Sequence, residues 1–178
     1  MKNICIAIIW PLVLLVSCNN RHAETGFSIM RMEKDLFECR SEALHDTLPV
    51  LYDKYGDFFH FFTENIISIG DSSDSEFSEY LVNFVTNYGI YLSYQKSLEV
   101  FSEIGDIENK IGNAFSRYQE LIPGEGLPRV YTCISGYLQG VAAMDSIVGI
   151  GLDMYLGRDF EPYALMWPDK KYKRYNLH

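Results

Sequence analysis

From Leu48 onward, apolar side chains recur at intervals of three and four: Leu51, Tyr52, Tyr55, Phe58, Phe59, Phe62 and Ile66. This spacing lays them along one helical face and predicts that the face is buried. Gly56 falls inside the stretch and marks a kink or a break. Gly70 to Asp74 is a loop of turn residues. Within it Ser73 has the capping-box spacing to Glu76, in which each side chain satisfies an orphan amide of a helix start. The helix so announced carries Phe77, Tyr80, Leu81, Phe84, Val85 and Tyr88 on one stripe. A further helix is expected near Asp106, acting as N-cap, with Ile107, Ile111, Ala114, Phe115 and Tyr118 turned to the core. Pro123, Gly124 and Gly126 close the helical run.

Strand patterns flank these helices. Phe27, Ile29 and Arg31 alternate with Ser28, Met30 and Met32, which suits an initial strand. Beyond Pro128 the period changes. Arg129 to Ser135 is rich in β-branched and aromatic residues, Val141 to Met144 is a short apolar run, and Ile147 to Leu152 alternates with glycines. Gly136 and the Asp145–Ser146 pair stand where turns are needed, so an antiparallel meander is the economical expectation. The fold class is therefore α+β: a helical N-terminal half packed on a small, mainly antiparallel sheet.

The N-terminus follows a different logic. Lys2 precedes an apolar run from Ile4 to Val16 broken only by Pro11, too short for the roughly 20 apolar residues of a spanning helix. It ends in Leu15, Val16, Ser17 and Cys18, the pattern of a lipoprotein signal. A small residue lets the peptidase approach the backbone, and the Cys18 thiol accepts the thioether-linked lipid. An ordinary secretory signal with an incidental cysteine is the alternative. The expected organisation is a signal peptide over 1–17, a tether over 18–26 and one α+β domain over 27–178. Without Lys2 the net charge of −9 becomes −10, and so acidic a surface argues against nucleic acid and against a basic membrane patch.

Candidate chemistry is sparse. Cys39 and Cys133 either pair or remain separate thiols. His22, His45, His60 and His178 have no paired spacing, so no metal site is expected, and His60 reads as a boundary side chain beside Phe59 and Phe61. Gly149 and Gly151 begin a phosphate-loop pattern that Met154 interrupts, and Cys133 stands where a nucleophile elbow around Ser135 needs glycine. No catalytic residue and no cofactor is expected. Asp145, Asp153, Asp159 and Glu161 form the best acidic group, either capping turns or binding a hard cation. Phe160, Tyr163, Trp167, Tyr172 and Tyr175 are either a binding surface or the packing of a C-terminal segment.

Several segments together resemble the gliding-motility lipoprotein GldB family. They are the lipobox, Asp35–Leu36–Phe37, the aromatic stretch from Tyr52 to Phe62, PRVYTCISG from Pro128 to Gly136, and above all IGLDMYLGRDFEPY from Ile150 to Tyr163. The resemblance implies an envelope lipoprotein of Bacteroidetes, acylated (palmitate) at Cys18, on the outer rather than the inner membrane, with envelope protein partners. It transfers no catalytic residues. The specific motif suggests a binding surface of Asp153, Tyr155, Asp159, Glu161 and Tyr163. The family is similar in turn to zincin-type metallopeptidase domains, and its members continue past the position of His178, so a missing C-terminal segment would carry any metal helix. The expected function is a non-enzymatic binding or assembly component. The alternative is a zincin-like metallohydrolase or its inactive remnant.

Overall fold

The computed structural model describes residues 27–40 and 43–166. The expected signal peptide over 1–17, Cys18 and the expected tether over 18–26 lie outside these residues, as do His22, His178, Trp167, Tyr172 and Tyr175. Chain order is β1 (Met30–Arg31), α1 (Met32–Glu38), α2 (Leu44–Tyr55), α3 (Asp57–Phe61) with a π-helical turn (Phe62–Ile66), α4 (Phe77–Thr86), α5 (Tyr88–Val100) and α6 (Gly105–Leu121). Then follow β2 (Arg129–Cys133), β3 (Val141–Met144), β4 (Ile147–Gly151), a 3₁₀ turn (Leu152–Met154) and α7 (Glu161–Met166). Among the described residues, no helix is long and apolar enough to cross a membrane.

The α+β class and the helical first half stand as expected, but the sheet is not a meander. Its order is β1-β2-β4-β3, with β1–β2 and β2–β4 parallel and only β3–β4 antiparallel. Burial explains the order. β2 is covered from Val130 to Cys133, as a strand paired in parallel on both sides must be. β4 buries Ile147, Gly149 and Gly151, whereas β3 exposes Val141 and Ala143 and suits an edge. The chain therefore passes the place beside β2, forms β3 outside it, and turns back at Asp145 (φ 47°) to insert β4.

Two glycines make that insertion sterically possible. A Cβ on Gly149 would stand 2.8 Å from Phe58 Cε2, in the ring that stacks on Tyr131 at 4.3 Å. A Cβ on Gly151 would stand 2.1 Å from the Gln139 carbonyl oxygen, a backbone atom with no rotamer to change. Above the sheet the predicted face packs as an aromatic core, in which Tyr55, Phe58, Phe59 and Phe62 are almost wholly enclosed. Gly56 is a break. Its backbone, at φ 49° and ψ −126°, ends α2 and starts α3.

Other helix boundaries differ from the sequence pattern. The Ser73–Glu76 capping box does not form: α4 starts at Phe77 without a side-chain cap, the Ser73 amide donates to Asp71 Oδ1, and Glu76 instead accepts from the Tyr80 hydroxyl. Phe77, Leu81 and Val85 are buried, but Tyr80 and Tyr88 face outward. A helix that periodicity missed, α5, begins where the Asn87 side chain accepts from the amides of Gly89 and Ile90. Asp106 lies in the first turn of α6 and does not cap it. The apolar stripe of α6 is also not turned to the core, since Gly112 is its only buried described residue and Ile107, Ala114 and Tyr118 are exposed. Periodicity identifies an amphipathic helix but not what covers its apolar side. Here a contact is Phe27, edge-on to Phe115 at 5.3 Å, beside a hydrogen bond donated by the Ile29 amide to Glu108 Oε1 at 2.8 Å.

The backbone approach at Gly151 gives a direct test. Gly151→Ala is expected to lower stability in urea unfolding by about 1–3 kcal/mol, the usual cost of overpacking. Gly105→Ala, with no atom near its Cβ position, should leave the midpoint nearly unchanged.

Candidate functional site

The segment after β4 is held by one carboxylate. Asp153, in the 3₁₀ turn, is completely buried. Its Oδ1 accepts the Ser135 amide at 2.8 Å, and its Oδ2 accepts the Ser135 hydroxyl at 3.0 Å and the Tyr137 amide at 2.5 Å. Ser135 Oγ in turn accepts from the amides of Leu138 and Gln139, both at 3.1 Å. One acid and one hydroxyl thereby satisfy four backbone amides of the turn that leaves β2. The turn needs this support because Gly136 (φ 69°) and Tyr137 (φ 65°) are both left-handed, an unfavourable conformation for a bulky residue.

Tyr163 closes the other side. From α7 its hydroxyl donates to the Asp153 carbonyl at 2.5 Å and accepts from the Leu156 amide at 3.0 Å. Its ring meets Phe160 edge-on at 5.1 Å and Tyr137 at 6.0 Å. Burial raises the Tyr163 pKa, keeping the hydroxyl protonated and able to donate. The Tyr137 hydroxyl bonds to Ser93, and α5 presents Ser93 and Ser97 as buried small residues on this face. These small side chains let α5 pack against the 3₁₀ turn.

Outside this anchor lies an open groove of about 980 Å³ between α5 and the loop of residues 156–162. Lys96, Glu99, Arg158, Asp159 and Glu161 supply its charges, with Leu92, Val100 and Phe160 among its apolar lining. Lys96 and Glu99 pair at 2.7 Å. Of the five residues expected to form a binding surface, Asp159 and Glu161 are exposed on the groove and Tyr155 is half-buried. Asp153 and Tyr163 are corrected to interior positions, because their polar atoms are consumed by backbone bonds. The acidic group likewise divides: Asp145 occupies the β3–β4 turn, Asp153 the interior, and Asp159 and Glu161 the groove.

The remaining candidates are placed as follows. Cys39 and Cys133 are separate thiols: Cys39 Sγ donates to the Asp35 carbonyl at 2.9 Å, and Cys133 is buried in β2, where burial raises its pKa well above the usual thiol value. Ser135 is a structural hydroxyl. Among the described residues one group offers three ligand atoms to a metal, His60, Glu64 and Asp71. Paired-histidine spacing does not reveal this group, which contains a single histidine. The signal that finds it is a histidine and a carboxylate four apart on a helix, followed by an acid in the next loop. A second missed feature is Glu33. It is fully buried, paired to Arg31 Nε at 2.6 Å and accepting the Thr132 hydroxyl at 2.6 Å, and so ties α1 to β2.

In comparison with known proteins, the family model described as gliding motility protein GldB matches residues 17–178. No curated protein and no solved structure matches the chain.

The anchor predicts a measurable pH dependence. Burial raises the Asp153 pKa, and the hydrogen bonds from Ser135 and Tyr137 oppose the shift without cancelling it. An acid with a raised folded pKa contributes stability that is complete below its unfolded value near ~3.9 and is lost as pH rises through the folded value. Asp153→Asn should abolish that component in pH-resolved urea unfolding. It should also cost about 1–3 kcal/mol, because its amide nitrogen faces donors where a carboxylate oxygen accepted.

Proposed function

The chain belongs to the gliding motility protein GldB family, and from that premise we propose that it is a lipid-anchored envelope protein that acts by binding rather than by catalysis. The observation that carries this reading is the fate of the polar groups in the Ile150–Tyr163 motif. Asp153 and Tyr163, the residues best suited to acid–base work, are turned inward and spent on backbone amides and carbonyls. What the motif leaves at the surface is a groove edge with Arg158, Asp159 and Glu161. Such a surface of mixed charge over apolar lining suits a protein partner, where charge sets register and on-rate and the apolar floor adds affinity.

Attachment is assigned to Cys18. Acyl chains on that residue contribute about 0.8 kcal/mol per buried CH₂, and more than one chain is needed for a stable anchor. The residues up to 26 then space the domain from the bilayer, and its acidic surface keeps it from lying flat on anionic lipid. The outer membrane is the assigned location, with other envelope proteins as partners.

Two measurements test this reading. Palmitate labelling in a host cell should mark the wild-type chain and not Cys18→Ala, and the variant should leave the membrane fraction. Equal labelling of both, or a membrane fraction unaffected by the substitution, would refute the anchor. A photo-crosslinking residue at Asp159 should give a discrete adduct with an envelope protein that the same residue at Lys110 on α6 does not give. Identical adducts from both positions would count against the groove.

A further inference from the structure

His60 lies in the last turn of α3, Glu64 four residues on in the π-helical turn, and Asp71 returns to them from the loop before α4. His60 Nδ1 is 3.8 Å from Glu64 Oε1 and 3.5 Å from Asp71 Oδ2, and ligand atoms of all three lie within 4.8 Å of one another. Zinc bonds to imidazole nitrogen and carboxylate oxygen are about 2.0–2.2 Å long, so tetrahedral ligand atoms stand roughly 3.4 Å apart. Both separations from the imidazole nitrogen are close to that value, and modest side-chain rotation would gather the third.

A histidine between two carboxylates also forms an ordinary surface ion pair, but the surroundings here orient ligands. The imidazole packs against the Tyr52 ring at 4.8 Å, which restricts its rotation. Asp71 Oδ1 accepts the Ser73 amide at 2.8 Å, leaving Oδ2 directed to His60. Fixing the outer atoms of ligating side chains in this way is how metal sites hold their geometry. The π-helical turn that carries Glu64 is an irregularity frequent at functional sites. Beside the group is a cleft of about 280 Å³, lined by His60 and Glu64 together with Asp57, Asn65, Asp145 and Ser146.

We propose that His60, Glu64 and Asp71 form a binding site for a divalent transition metal of the zinc class, with its remaining coordination positions open to this cleft. The nitrogen donor selects against calcium and magnesium, which take oxygen ligands. A bound ion bridges α3 and the loop before α4, beside the bond that the Ile69 amide donates to the Thr63 carbonyl at 2.8 Å, and offers water or a partner's side chain a place in the cleft. The site stands independently of the groove and of the lipid anchor.

The test is calorimetric titration of the full, untagged chain in detergent micelles with zinc chloride. Binding of one zinc per chain is expected. His60→Ala and Asp71→Asn should each weaken it at least about tenfold, since even an outer-shell partner is worth roughly 10- to 100-fold. Asp71→Asn keeps an oxygen for the Ser73 amide, so the loop is preserved. His45→Ala, exposed on α2, should bind as the wild type does. Failure to bind one zinc saturably, or equal affinity in the His60 and Asp71 variants, would overturn the site.

Discussion

A carboxylate withdrawn from water persists only when its surroundings supply the hydrogen bonds that water gave it. Asp153 obtains three, from two amides and a hydroxyl, and the order of the whole site end follows from them. They hold two successive left-handed residues at Gly136 and Tyr137, and that turn directs the chain away from β2 toward the sheet edge. β4 can then occupy the place beside β2, close under the Gln139 carbonyl, where only glycine fits. Tyr163 braces the same residue from its backbone side and so fixes α7 against the 3₁₀ turn. The turn after β2 and the inner wall of the groove rest on a single buried acid.

The sequence was informative wherever burial is decided locally. The aromatic face from Leu51 to Ile66, the break at Gly56 and the turn at Asp145–Ser146 all appear where spacing and turn chemistry put them. It was uninformative wherever a long-range partner decides. Strand order depends on which strand tolerates cover on both faces, and the glycines of β4 were visible but their neighbours, Phe58 and the Gln139 carbonyl, were not. The α6 stripe has core periodicity without core burial. Asp153 and Asp159 look alike in the motif, and only the fold separates the anchor from the surface charge. Asn87 shows that one capping residue can outweigh a continuous apolar pattern, since it divides α4 from α5 inside what reads as a single stripe.

Two kinds of polar group emerge from this. Glu33, Ser135 and Asp153 are interior, each hydrogen-bonded to backbone or to a paired side chain, and they join elements distant in sequence. Asp159, Glu161, His60, Glu64 and Asp71 keep atoms in solvent and remain open to a partner or an ion. The segment from Ile150 to Tyr163 contains both kinds, with Asp153 and Tyr163 in the interior and Arg158, Asp159 and Glu161 exposed.

The most direct test of the anchor is native-state hydrogen exchange at the amides of Ser135 and Tyr137. If Asp153 holds the turn as part of the core, both amides exchange only through global unfolding, as slowly as the central amides of β2. Exchange at loop-like rates, orders of magnitude faster than β2, would mean that the turn opens by itself and that the carboxylate does not organise this end of the molecule.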